Sequence, residues 1–195
     1  NNGARNVLFR NDGDWNFKNV TKQVGLEQNN SRFSLACSWE DFDNDGDQDL
    51  YVANDFGRNN FYRNDDGKFT DVAVAFGVED MSAGMSVAWG DYNNDGRADL
   101  YVSNMWSSAG NRISFQRQFL PADSKNSARS GFQRHARGNS LFRNDGDRFV
   151  DASEQAHVTR GGWAWTSSFA DINNDGWEDL LVANGYVTQH DERDL

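Results

Sequence analysis

The chain has 195 residues, 13% of them aromatic and seven of them Trp, which is enough for one domain with a packed core and too much for a disordered chain. A formal charge of −11 excludes a general nucleic-acid binder, because a phosphate backbone would be repelled. A single cysteine rules out a disulfide framework, and no apolar run approaches the ~20 residues a membrane-spanning helix needs.

Eighteen Gly against one Pro point to short strands joined by tight turns. The chain opens on Asn1, inside a repeat and without a signal-peptide pattern, which predicts a processed product or a fragment. The first element, Asn6-Val-Leu-Phe-Arg-Asn-Asp-Gly13, is followed by a strand-like stretch at 15–20, a β-hairpin signature. Residues 34–39 then alternate in polarity, so Cys37 is expected as a small buried hydrophobe. The hairpin element returns as Asn60-Phe-Tyr-Arg-Asn-Asp-Asp-Gly67 with a strand at 68–72, and as Asn139-Ser-Leu-Phe-Arg-Asn-Asp-Gly146 with a strand at 148–151. Trp39, Trp89 and Phe169, two residues before each acidic loop, are expected in the core. Trp163 and Trp165 are expected to pack between sheets.

Between the hairpins lies a second repeated element, an acidic loop flanked by strand patterns. Asp41 to Asp91 is 50 residues and Asp91 to Asp171 is 80, so about 30 residues are inserted before Asn139. Two loop strands and two hairpin strands per ~50 residues predict an all-β chain, a β-propeller of four-stranded antiparallel blades. About three blades are present in one partial propeller spanning 1–195, with repeats near 6–54, 60–104 and 139–184, an insertion at 105–138 and a tail at 185–195.

The loops read Asp41-x-Asp43-x-Asp45-Gly46-Asp47-x-Asp49, Asp91-x-Asn93-x-Asp95-Gly96-Arg97-x-Asp99 and Asp171-x-Asn173-x-Asp175-Gly176-Trp177-x-Asp179. Ca²⁺ takes 6–8 oxygen ligands in a flexible geometry, and side chains at positions 1, 3, 5 and 9 can wrap one ion if the backbone turns sharply at Gly. Position 7 would then offer only its backbone carbonyl, which leaves Asp47, Arg97 and Trp177 free to differ. An EF-hand is excluded, because position 12 is Val52, Val102 or Val182 rather than a bidentate Glu. Ordinary Asx turns without metal are the plainer alternative. Three Ca²⁺ would bring the formal charge from −11 to −5, and the first loop, with four candidate carboxylates, is expected to bind tightest.

These loops and the Asn-x-Leu/Phe-Phe/Tyr-Arg-Asn-Asp hairpins resemble the FG-GAP/VCBS repeat family, the propeller repeats of integrin α-subunit heads and of many secreted bacterial proteins. The hairpins are similar to those of bacterial propellers fused to an ASPIC/UnbV domain, although no such segment is visible here. The resemblance implies a seven-bladed propeller with structural calcium in the loops joining the first two strands of each blade.

The insertion carries Arg112, Arg117, Lys125, Arg129, Arg134 and Arg137 against one acid, Asp123. A surface loop packed beside acidic turns is expected, with a short helix over 111–120 stopped by Pro121; docking of an acidic partner is the alternative. The functional expectation is a secreted or cell-surface, non-enzymatic module that binds a protein or glycan, or other copies of itself. The alternative is a fragment of a secreted propeller hydrolase or lyase. No nucleophile–base constellation is readable; His135, His157 and His190 lack ligand spacing, and Asp55 is the one weak catalytic candidate.

Overall fold

The computed structural model describes residues 3–55, 57–106, 108–116 and 126–185. Twelve strands form four antiparallel sheets among them. β1 (Phe9–Asn11) and β2 (Phe17–Asn19) make a two-stranded hairpin. β3 (Ser34–Glu40), β4 (Asp49–Asn54), β5 (Asn60–Asp65) and β6 (Lys68–Asp71) make a four-stranded sheet in that order. β7 (Gly84–Gly90), β8 (Asp99–Asn104), β9 (Ser140–Asn144) and β10 (Phe149–Asp151) make a second, and β11 (Ala164–Ala170) with β12 (Asp179–Asn184) a final pair.

Each complete sheet joins a loop pair to the hairpin that follows it, whereas the repeats expected near 6–54, 60–104 and 139–184 put the hairpin first. The register repeats: Leu50 opposes Tyr62 and Tyr51 opposes Phe61, as Leu100 opposes Phe142 and Tyr101 opposes Leu141. Counted from the hairpin arginine, Asn59 rather than Asn60 therefore matches Asn139. Both side chains accept the backbone N–H of the preceding strand's last residue, Asn54 or Asn104, at 2.8 Å. A β-bulge recurs near the start of each loop pair, beside Leu35, Met85 and Trp165.

Sheets stack through their first strands, β3 against β7 and β7 against β11. The core lies between the two complete sheets, where Phe42 is surrounded by Phe61, Phe76 and Phe149 with ring centroids 4.6, 5.1 and 5.9 Å away. Such aromatic contacts add roughly 0.5–1.5 kcal/mol each beyond area burial. A one-turn helix, α1 (Ala73–Phe76), carries Phe76 into this cluster and ends at Gly77 in the left-handed region. This β-dominated stack of antiparallel sheets fits a β-propeller, and no sheet closes into a ring among the described residues.

Three sequence expectations need correction. Cys37 is exposed, because it shares with Leu35 and Trp39 the face of β3 that no further sheet covers. Trp39 and Trp165 are 40% and 49% exposed, while Trp89, with β3 and β4 beside it, is packed against the core. The insertion is helical at two places: α2 (Ser108–Phe115) begins three residues before the expected helix, and α3 (Asn126–His135) had no sequence signal strong enough to place it. Residues 117–120, Pro121 and the tail beyond Gly185 lie outside the described residues.

The insertion docks on acids of its own sheets, as expected of a basic segment on an acidic chain. Arg134 pairs with Asp80 at 3.4 Å and Asp151 at 2.9 Å, and Arg137 pairs with Asp151 at 2.7 Å. Asp80 is fully buried, and also accepts from Asn104, Ser140, Ser82 and the Met81 N–H.

Candidate metal centre

The three acidic loops join the first two strands of their sheets and share one backbone path. The first Asp caps its own turn: Asp41 accepts the N–H groups of Asp45 and Gly46, both at 3.0 Å. Asp91 does the same at 2.9 and 2.8 Å, and Asp171 at 3.1 and 2.9 Å. The fifth-position Asp caps the seventh N–H in each loop, at 2.9, 3.0 and 2.9 Å. Two left-handed residues make this path possible. Position 4 is Asn throughout, with φ of 58°, 56° and 60°, a conformation Asn tolerates better than most residues. Position 6 is Gly, with φ of 95°, 82° and 86°. A Cβ at any of these glycines would meet nothing within 4 Å, so the dihedral alone demands Gly.

The ninth-position Asp lies deepest. Asp49 and Asp99 are fully buried, and each accepts a 2.7 Å hydrogen bond from a backbone N–H of the following hairpin, Asn64 or Asn144. Burial pushes the Asp49 carboxyl up to about 7, against the opposing pull of the Asn64 and Phe42 N–H groups and with a further push from Asp43 and Asp45. Asp99 is likewise raised to about 7 by burial, against the pull of the Asn144 and Tyr92 N–H groups, and its Oδ2 has no partner within hydrogen-bond distance among the described residues. Around Asp49, oxygens of Asp41, Asp43 and Asp49 lie within 4.8 Å of one another. At that spacing each ionised pair repels by on the order of 3 kcal/mol at an effective dielectric near 20. A hard dication at the same place would reverse the sign of that interaction, and an all-oxygen donor set with one buried carboxylate suits Ca²⁺ chemistry. Burial also raises the Asp43 carboxyl, reinforced by Asp45 and Asp41.

The other two loops hold Asn93 and Asn173 where the first has Asp43. Each amide donates to its fifth-position carboxylate, at 3.0 and 2.9 Å, and accepts that residue's N–H, at 3.1 and 3.0 Å. The convergence of three carboxylates therefore belongs to the first loop among the described residues. Asp179 is half-buried, with the Ile172 N–H 3.3 Å from its Oδ2.

Position 7 is less free than the sequence suggests. Asp47 does not join the carboxylate cluster; its Oδ2 accepts the Asp66 N–H at 2.8 Å, tying the loop to the next hairpin. Arg97 makes the same tie with opposite polarity, donating Nε to the Asn144 carbonyl at 2.9 Å, and pairs with Asp95 at 2.7 Å. A guanidinium thus stands beside one of the second loop's candidate ligands. Trp177 makes no such tie among the described residues and is 55% exposed.

Sequence reasoning missed the hairpin asparagines. Asn64 and Asn144 orient the buried Asp through their backbone N–H, while their side chains donate to Gln48 and Ala98 carbonyls at 3.1 and 3.2 Å. Asn144 reaches further, to the Phe42 carbonyl of the neighbouring sheet at 2.9 Å. The signal was present in the thrice-repeated Arg-Asn-Asp, but it read as turn chemistry alone.

No curated protein matches the chain significantly. Comparison with protein families matches the FG-GAP-like repeat over residues 41–102 and 129–182, which takes in the first acidic loop with β4–β6, the second loop pair but for the last two residues of β8, and the third hairpin and loop pair but for the last two residues of β12. With the matched segments covering more than half of the sequence and containing all three acidic loops, this chain belongs to the FG-GAP-like repeat family.

Proposed function

We propose that this chain is an extracellular, non-enzymatic β-propeller module of about three blades, held in shape by three Ca²⁺ ions, that presents its surface to a protein or glycan partner. The observation that carries the reading is the packing of Asp41, Asp43 and Asp49 within 4.8 Å around a carboxylate with no solvent exposure. Side chains at positions 1, 3, 5 and 9 and the position 7 carbonyl would hold each ion. Bound calcium supplies charge neutralisation and cross-links the turn. This chain's own residues carry that constraint onward: Asp49 and Asp99 pass it to the hairpins through the Asn64 and Asn144 N–H groups. Extracellular calcium modules work at ~10⁻⁴–10⁻³ M, which accords with a secreted setting.

The rival reading, a piece of a secreted hydrolase or lyase, rests on Asp55. Burial raises its carboxyl, and Oδ1 has no hydrogen-bond partner among the described residues. Catalysis of that kind needs a second acid or base beside the carboxylate, and among the described residues none is hydrogen-bonded to Asp55, so the binding module is the better account.

Isothermal titration of the chain and of Asp43→Ala with Ca²⁺ and Mg²⁺ tests the proposal. The expected result is calcium uptake that Mg²⁺ does not match, with one site weakened at least about tenfold in the variant. Equal, negligible heats for both ions and both proteins would refute it.

A further inference from the structure

The connection between β8 and β9 is much longer than the fold requires. In the preceding sheet residues 55–59 suffice to carry the chain from β4 to β5, whereas 105–139 separate β8 from β9. Long connections on a rigid scaffold are where binding residues gather. The described part of this one is held firmly: Arg134 and Arg137 anchor α3 on Asp80 and Asp151, and Gln133 Nε2 donates to the Ser114 carbonyl of α2 at 3.5 Å. α2 forms one wall of a cleft of about 570 Å³, lined by Ser108, Asn111, Arg112 and Phe115 together with Trp106 and Arg160. A cleft of about 440 Å³ adjoins it, with Asn111, Phe115 and Arg160 in common. We propose that this groove is a binding site for an acidic glycan, a uronate-bearing oligosaccharide whose carboxylates pair with Arg112 and Arg160 and whose sugar faces lie against Phe115.

Charge selects the anion. On a chain of −11, the larger cleft presents two guanidinium groups and is lined by no acid among the described residues. The smaller one adds Arg134 and Arg137, which Asp80 and Asp151 already neutralise, and Glu154. The anion is therefore placed on Arg112 and Arg160. A guanidinium presents parallel N–H donors that match the two oxygens of a carboxylate. Arg160 is set in place for this role, with its guanidinium carbon 5.9 Å from the centre of the Trp106 ring. Trp106 is fixed in turn by its backbone N–H on the Gly162 carbonyl at 3.0 Å and by the adjoining Met105–Trp163 bridge. Arg160 belongs to the connection between β10 and β11, so the site takes residues from the insertion and from the repeats alike.

The rest of the lining selects a sugar over a peptide. Phe115 is 59% exposed and stands in both clefts, an aromatic surface for the C–H face of a pyranose, and the Asn111 amide suits hydroxyl groups. An acidic peptide would take main-chain hydrogen bonds from a free strand edge. The residues lining both clefts lie on helices and in connections, so the groove offers no such edge. Cleft volumes of this order are those of small-ligand sites. The insertion leaves β8 at Asn104, whereas the acidic loop joins β8 at Asp99, so the groove lies at the other end of the sheet from the candidate cation sites. The inference rests on the binding-module reading and not on its cations.

The test titrates the full chain with a glucuronate-bearing hyaluronan tetrasaccharide by isothermal calorimetry, in calcium and again in chelator. The comparison ligands are the methyl ester of the same tetrasaccharide, which keeps the sugar and loses the charge, and hexaglutamate. The expected result is binding of the tetrasaccharide at least about tenfold tighter than of either, weakened at least about tenfold by Arg112→Gln or by Arg160→Gln, since each variant removes one charge-assisted pair. Arg58→Gln, at an arginine paired with Glu79 and lining neither cleft, should leave binding unchanged, and the circular dichroism of all three variants should match the parent. No uptake of the tetrasaccharide at millimolar concentration, equal uptake of the ester or of hexaglutamate, or indifference to both groove variants overturns the inference. Binding kept in chelator by a chain that takes up no calcium would support the groove and contradict the cation proposal alone. Shortened sugars in the calorimeter cell would support the groove and contradict the non-enzymatic reading alone.

Discussion

Replacing Asn144 by Ala separates the two jobs of the hairpin asparagine. The backbone N–H to Asp99 survives the change, while three side-chain hydrogen bonds are lost: to the Phe42 carbonyl, to the Ala98 carbonyl and from the Gly146 N–H. Asn144 is 1% exposed, and the Phe42 carbonyl it reaches sits in the core, where an orphaned acceptor costs about 1–3 kcal/mol. Adding about 1 kcal/mol for the two outer bonds gives about 3 kcal/mol in total. Asn64→Ala is the internal comparison: it removes only the bonds to Gln48 and from Gly67, both solvent-exposed, and is expected to cost about 1 kcal/mol. For a chain of this size the difference of about 2 kcal/mol corresponds to roughly 4–8 °C in Tm. Urea unfolding of both variants in dilute, calcium-containing solution reads it directly. Equal destabilisation by the two would refute the claim that Asn144 ties one sheet to the next.

Four further outcomes are expected. Asp80→Ala, which removes the acceptor of the buried Ser140 hydroxyl and one acceptor of the buried Asn104 amide and leaves Arg134 paired with Asp151 alone, should cost about 3 kcal/mol by the same unfolding assay. Gly46→Ala forces a side chain into φ of 95° without any clash, so its cost should be the conformational one alone, about 1–2 kcal/mol. At Asp151, burial raises the carboxyl, but the Ser153 hydroxyl and the Arg137 and Arg134 guanidinium groups outweigh it and hold the group below its ordinary value. Its folded value being depressed, its stabilisation is complete above the unfolded carboxylate range near 3.9 and is lost as pH falls toward the folded value; the Tm gap between wild type and Asp151→Asn should therefore narrow from pH 5 to pH 3. Arg97→Met removes the cation beside Asp95, and calorimetry should show calcium affinity at the second loop rising several-fold.

What the sequence disclosed was whatever repeats. The three acidic loops, the three hairpins and the place of the insertion were legible because each recurs with the same residues at the same spacing. Trp39, Cys37 and Trp165 were misjudged because alternation tells which face a residue takes, not whether another sheet covers that face. Among the described residues no further sheet covers the outer faces of β3 and β11, and apolar side chains there stand in solvent. α3 was missed because a helix docked by Arg134 and Arg137 on Asp80 and Asp151 is held by ion pairs with distant acids, and no local apolar stripe announces it. The roles of Asn64 and Asn144 were hidden for a related reason: they act on Asp49 and Asp99, 15 and 45 residues away. Position 7 looked indifferent because Asp47 and Arg97 make the same tie to the hairpin with opposite charge, which residue identity alone conceals.

The central claim is that the acidic loops are cation cages that hold the sheets together. Native mass spectrometry of the chain in calcium, paired with thermal unfolding before and after chelation, tests it most directly. The account predicts about three Ca²⁺ per chain and a fall in Tm on chelation, since like-charged carboxylates would then face one another without a counter-ion. A chain that carries no calcium and melts at the same temperature in chelator would contradict it.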